Sequence, residues 1–232
     1  LWSWQCPRRH RVAVKPEAWG VIALVGALLV YAAGLLSGVS WLYGSAIVAA
    51  VVAGLAWMRG VGWVRSGAFP LGFLLFMVPP PDSWITPAIV QLQVFVSVTA
   101  TELLNLIGGA IVREGNILRL PSGDSLFVAE ACSGVTSVIT LAPLGAILAY
   151  LELKTTWART AMMLGVVPLA MVGNLTRVVA TVVIADRAGA DAAVHGPVHE
   201  MLGLSVYVVG VVLLLGFGSL LRRLERGRLA PS

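Results

Sequence analysis

The run WGVIALVGALLVYAAGLL (residues 19–36) holds no charged residue, and a second uncharged run, WLYGSAIVAAVVAGLAW (residues 41–57), follows after a short gap. Coiled as helices at about 1.5 Å per residue, each is about 25 Å long, near the ~30 Å of a bilayer's hydrocarbon core. Trp, Tyr or Gly stands at their ends, where aromatic rings settle at the lipid headgroups. Two such runs in tandem read as membrane-crossing helices, and the composition agrees. Of 232 residues, 58% are hydrophobic and 12% charged, with a mean hydropathy of +0.90. Soluble domains carry about 45–50% apolar and about 25% charged residues. This excludes a soluble globule and predicts an all-α polytopic membrane protein.

Apolar periodicity places about six transmembrane helices over 18–37, 41–57, 67–80, 133–151, 160–184 and 201–221. The third is short and ends in Pro79-Pro80-Pro81, which a helix cannot continue through. Residues 84–108 are apolar but carry Gln91, Gln93, Thr99, Thr101, Glu102 and Asn105. A carboxylate deep in lipid is expensive, so this stretch reads as one interfacial or re-entrant helix. Residues 110–131 alone show strand-like alternation with turn residues, Glu114-Gly115-Asn116 and Pro121-Ser122-Gly123-Asp124. They predict a small extracytoplasmic β-meander. The whole of 1–232 reads as a single integral membrane domain. It runs from a tail over 1–17 through three spans within 18–80, the helix over 84–108, the β-like segment over 110–131 and three spans within 133–221 to a tail over 222–232.

Orientation follows from the cations. With six spans, Arg8, Arg9, Arg11, Lys15, Arg59, Arg65, Lys154, Arg159, Arg222, Arg223, Arg226 and Arg228 fall on one side, twelve of the sixteen Lys and Arg. Only Arg113, Arg119, Arg177 and Arg187 fall on the other, with most of the acids. Short cytoplasmic loops collect Lys and Arg, so both termini are expected in the cytoplasm, in a bacterial inner membrane. The net charge of +5 belongs to those loops; no basic tract interleaved with aromatics points to nucleic acid. Arg8 to Lys15 precedes a long span without a cleavage site, so no signal peptide is expected. Leu1 in place of Met suggests a trimmed chain.

Under this topology three reactive residues reach one outer level: Cys132 at the mouth of the fourth span, Arg177 about 10 Å below the outer end of the fifth, and His199 opening the sixth. A thiol, a permanent cation and a titratable base are the parts of a cysteine acyl-transfer site. Each also has a plainer reading. A lone cysteine packs as a small hydrophobe, an arginine snorkels to headgroups, and an interfacial histidine need do nothing. Cys132 follows a strand-like stretch and precedes Ser133-Gly134 at a helix start, where the dipole favours a thiolate. Cys6 is expected across the membrane, leaving Cys132 a free thiol. Arg177 interrupts an apolar run, where arginine costs about 2.5–3.5 kcal/mol; Asn174, three residues earlier, shares its face. His195 and His199 are spaced for a metal, but Gly196-Pro197 between them argues against one helix, and no metal or cofactor is expected. Glu102, Glu130 and Glu200 are candidate neighbours.

Ala131-Cys132-Ser133-Gly134, Asn174-Leu175-Thr176-Arg177 and His199-Glu200-Met201-Leu202-Gly203 resemble, in the same order, the A-C-S-G, N-x-x-R and H-x-x-x-G signatures of the exosortase/archaeosortase family of membrane transpeptidases. The resemblance covers about residues 65–215. It implies Cys132 as nucleophile, Arg177 as stabilising cation and His199 as acid/base, with Asn174, Ser133, Gly134 and Gly203 in support. Histidine at the third position is similar to the bacterial members. The implied partners are proteins with a C-terminal sorting signal, namely a short Pro-Glu-Pro-like motif, a transmembrane helix and a basic cluster, together with an acceptor nucleophile of unknown identity. Two other readings remain: a small-molecule permease with Arg177 as an anion site, and a non-catalytic assembly factor for envelope or exopolysaccharide export.

Overall fold

The computed structural model describes residues 17–128, 133–194 and 197–229. These fall into two compact units that meet in sequence at Pro81–Asp82, and each is described by itself.

In the first unit, α1 (Trp19–Ser37) and α2 (Ser40–Arg59) form an antiparallel hairpin. Gly38 turns the corner at φ 68°, a left-handed conformation that suits glycine, and Val39 N donates to Gly34 O at 3.1 Å. The helices meet through their smallest residues. Gly20, Ala27 and Gly34 recur every seven positions along α1 and are buried. A Cβ at Gly20 would stand 2.7 Å from the Trp57 backbone, and one at Gly34 2.8 Å from Tyr43 N. The bulky residues point away: Ile22 is 76% exposed and Leu36 91%. Small residues inside and large ones outside is the packing of helices surrounded by lipid, where close backbone approach drives association. Beyond Gly60 the chain breaks into α3 (Val61–Ser66), α4 (Ala68–Phe73) and a 3₁₀ turn (Leu74–Met77), and Pro79-Pro80-Pro81 ends it.

The second unit holds α5 (Asp82–Leu106), strands β1 (Val112–Glu114), β2 (Ile117–Arg119) and β3 (Ser125–Phe127), then α6 (Val135–Glu152), α7 (Thr156–Ala188), α8 (Ala190–Val194) and α9 (Pro197–Leu229). The strands form the expected meander, antiparallel in the order β1-β2-β3, with Leu118 opposite Leu126. Its inner face buries Leu118, Leu120, Leu126 and Val128 against Val96, Ala100 and Leu104 of α5 and Val178, Val182 and Ala185 of α7. A second core, Leu141, Ala149, Met162, Val166, Ala170, Leu214 and Leu221, lies between α6, α7 and α9. At one end of that bundle Glu225 of α9, 4% exposed, accepts hydrogen bonds from Thr155 N (2.7 Å), Lys154 N (3.2 Å) and Thr155 Oγ1. It thereby caps the start of α7, whose first N–H groups have no partner within the helix.

Among the described residues, six helices are long and apolar enough to cross a membrane: α1, α2, α5, α6, α7 and, from Met201, α9. The chain is thus an all-α, multi-pass membrane protein with one small sheet. The third crossing differs from the sequence expectation. Residues 68–77 make a helix of only ten residues, about 15 Å, because Gly60, Gly67 and the proline run interrupt it. Instead α5, expected to lie at the interface, has the length and hydropathy to span. Its polar residues are accommodated locally. Ser97, Thr99 and Thr101 donate to carbonyls four residues back, while Gln93 and Asn105 turn to the meander. Helix α7 also exceeds the expected 160–184 span: its 33 residues extend about 50 Å, because the meander shields its last turns.

Candidate functional site

Helix contacts fix the relative heights of the signature residues. Between antiparallel α7 and α9, a Cβ at Gly173 would stand 3.4 Å from Val206 O, and Gly165 faces the Phe217 ring, a register that agrees to within about one helical turn. Arg177, one turn beyond Gly173, is therefore level with about residues 202–205 of α9. Between parallel α6 and α9, Leu141 lies against Gly210 and Gly145 against Leu214, an offset of 69 residues in both pairs. That offset puts Gly134 level with Gly203.

A direct contact ties Gly134 to α7. Gly134 has φ 87° and precedes α6; a Cβ there would stand 2.9 Å from Met171 Sδ and 3.4 Å from Asn174 Nδ2. Only glycine combines the left-handed turn with that approach. Ser133 is wholly buried, and its Oγ accepts from Val135 N at 3.3 Å, satisfying one of the free donors at the start of α6. Asn174 is wholly buried, and Arg177 is half-buried with its Nε shut off from solvent. At 100° per residue, Arg177 falls between Gly173, which faces α9, and Asn174, which faces Gly134. It stands on the inner face of the bundle, beside the start of α6.

The described signature residues Ser133, Gly134, Asn174, Arg177 and Gly203 thus gather within about one helical turn of a common level. Cys132, bonded to Ser133, lies outside the described residues, as does Glu130. The backbone of His199 is in the first turn of α9, one turn before Gly203 and in line with Val206 and Gly210; its side chain, with that of Glu200, lies outside the described residues. At Gly203 no described atom comes within 4 Å of a Cβ position. Glu102 is exposed on α5.

Arg177 also sits differently along its helix from the sequence expectation. It is eleven residues, about 16 Å, from the end of α7, rather than seven. Residues 160–176 carry no charge and make about 26 Å of helix, close to the ~30 Å hydrocarbon core. Arg159 and Arg177 therefore bracket an uncharged stretch of about one membrane thickness. In α9 the uncharged stretch 201–221 likewise begins at this level.

Sequence reasoning missed the groups that hold the meander, which precedes Cys132 in sequence. Gln93, 7% exposed on α5, donates from Nε2 to Val128 O at 3.4 Å, and its Oε1 accepts from Asn116 Nδ2 at 3.2 Å. Asn105 grips Ile111 through both backbone groups, and Asp124 Oδ2 accepts from Ala190 N at 3.1 Å, fastening the meander to α8. The available signal was amides and a carboxylate at apolar or turn positions. They read as obstacles to a span because their partners are distant in sequence.

No curated protein and no solved structure matches the chain. The family model described as transmembrane exosortase matches residues 1–216. The chain belongs to the transmembrane exosortase family, multi-pass membrane proteins with a general transpeptidase role on protein substrates.

Proposed function

We propose that the chain is a cysteine transpeptidase or protease that cuts proteins bearing a C-terminal tripartite signal, with Cys132 as nucleophile, Arg177 as oxyanion partner and His199 as acid/base. The observation that carries this reading is the common level of Gly134, Arg177 and Gly203. The three signatures lie dozens of residues apart, yet each has a described residue in one layer of the α6–α7–α9 bundle.

In this mechanism His199 takes the thiol proton of Cys132, and the thiolate attacks the carbonyl carbon of the scissile peptide. The negative charge that develops on oxygen is stabilised by the Arg177 guanidinium. Collapse breaks the C–N bond, the leaving amine takes the proton from His199, and an acyl thioester remains on Cys132. Water or an amine acceptor then gives up a proton to His199 and attacks the thioester, and the thiolate leaves. Asn174, packed against Gly134 and three residues from Arg177, holds the cation's turn of helix to the strand-to-helix corner.

Topology suits such a substrate. Exchanging residues 67–80 for α5 as the third crossing leaves the number of crossings before the meander unchanged. The cation-rich loops therefore stay on one side, read as the cytoplasm. The meander and the site face outward in a bacterial inner membrane, while a substrate's basic cluster remains inside. The test is cleavage of a reporter protein that ends in a Pro-Glu-Pro motif, a transmembrane helix and a basic cluster, co-expressed with the wild type or with Cys132→Ala. Loss of cleavage in Cys132→Ala is expected; processing at the wild-type rate overturns the reading.

A further inference from the structure

The sheet has two edges, and they differ. Beside β1, Asn105 accepts from Ile111 N at 2.7 Å and donates to Ile111 O at 3.0 Å, occupying both backbone groups of the residue that leads into the strand. β1 also carries Arg113 and Glu114, and Arg113 folds onto Gly115 O at 2.8 Å. Charges and tethered side chains are how exposed edges are protected against pairing. β3 has neither: its sequence is Ser125-Leu126-Phe127.

The register shows what β3 offers. Leu120 N donates to Asp124 O and Val128 N to Asn116 O, so the even-numbered residues spend their backbone groups on β2. Alternation in an antiparallel ladder turns the N–H and C=O of Ser125 and Phe127 the other way. Among the described residues no hydrogen bond reaches those groups. Ser125 is exposed, Phe127 is 66% exposed, and Ile117, opposite Phe127 on β2, is 40% exposed. The open edge is thus flanked by apolar side chains.

We propose that the β3 edge receives an extended segment of the substrate protein as a fourth strand, delivering its scissile bond to Cys132. The occupant follows from the chemistry of the edge. Donors and acceptors repeated every second residue match an extended backbone. A helix has already satisfied its own backbone groups, and a lipid tail has none. Continuity supplies the destination: Cys132 is five residues beyond Phe127, at most about 18 Å of chain. The inference rests on reading Cys132 as the nucleophile and adds how the substrate is held.

Two experiments test it. In Cys6→Ser/Cys132→Ala protein carrying Ser125→Cys, reporter cysteines are scanned one residue at a time through the segment around the motif, and disulfides are formed with a mild oxidant. Side chains of a paired strand alternate between faces, so crosslinks are expected at every second position. No crosslink, crosslinks at consecutive positions, or a three-to-four-residue period overturns the proposal. In otherwise wild-type protein, Phe127→Pro removes the outward N–H and leaves the ladder to β2 intact, whereas Phe127→Ala keeps that N–H. Cleavage by Phe127→Pro is expected to fall about three- to tenfold below Phe127→Ala, the loss of one hydrogen bond, and equal rates overturn the proposal. Crosslinking needs no turnover, so cleavage by Cys132→Ala sinks the catalytic reading separately.

Discussion

Gly134→Ala perturbs a residue that joins the start of α6 to the turn of α7 bearing Asn174 and Arg177. Two costs are separable. An L-residue held at φ 87° pays about 1–2 kcal/mol for the left-handed backbone. The added methyl also meets Met171 Sδ at 2.9 Å and Asn174 Nδ2 at 3.4 Å. The thioether end moves at little cost, but Asn174 is wholly buried and has less room, so about 1 kcal/mol more is expected. The sum, about 2–3 kcal/mol, corresponds to a midpoint about 4–10 °C lower in detergent melts. Gly123→Ala isolates the first cost, because Gly123 has φ 93° with no atom within 4 Å of its Cβ position. The difference between the two variants is the contact with α7. Alkylation of Cys132 by a thiol probe applied from outside, followed by intact mass, then reads the site, and its rate is expected to change in Gly134→Ala but not in Gly123→Ala. The cycle with Asn174→Ala should show coupling of about 0.5–3 kcal/mol. Equal melts for the two alanine variants, additivity with Asn174→Ala and an unchanged alkylation rate would refute the reasoning.

Other outcomes follow from the opposite end of the bundle and from the first unit. Glu225→Ala strips the acceptor from Thr155 N, Lys154 N and Thr155 Oγ1 and should destabilise the second unit by about 2–4 kcal/mol. Proteolysis at the 153–155 turn should rise while the intrinsic alkylation rate of Cys132 in folded protein stays put; an unchanged melt contradicts the capping role. Gly34→Leu forces apart helices whose backbones approach to 2.8 Å of the added Cβ, at about 1–3 kcal/mol or more. Gly26→Leu, with no atom within 4 Å, is the control expected to be silent. Equal loss of detergent resistance in both variants would contradict small-residue packing of the hairpin.

The site was legible in sequence to the extent that its residues are chemically odd for their surroundings. Arg177 in an apolar run and a cysteine before Ser-Gly at a helix start are visible without coordinates, and so is the order of the three signatures. Their heights were only approximated, because hydropathy ends the fifth span near Asp186 and says nothing of the sheet that covers Val178, Val182 and Ala185. The supporting shell was illegible. Gln93 and Val128, or Asp124 and Ala190, are 35 and 66 residues apart, and no local pattern announces such a pair.

Sequence alone determined that the chain is helical and crosses a membrane, since uncharged runs of bilayer length allow little else when every backbone group must be satisfied internally. It also determined the meander, whose turns sit at Gly115 and Gly123. Tertiary structure decided which stretch has the length of the third crossing, because polar residues such as Gln93 and Asn105 are tolerable in a helix only when a partner, here the meander, takes up their hydrogen bonds. It decided the register as well. Gly173 on Val206, Gly145 on Val166 and Gly134 on Asn174 set the helix heights, because closest approach occurs where side chains are absent, and that depends on which glycines face each other across the bundle.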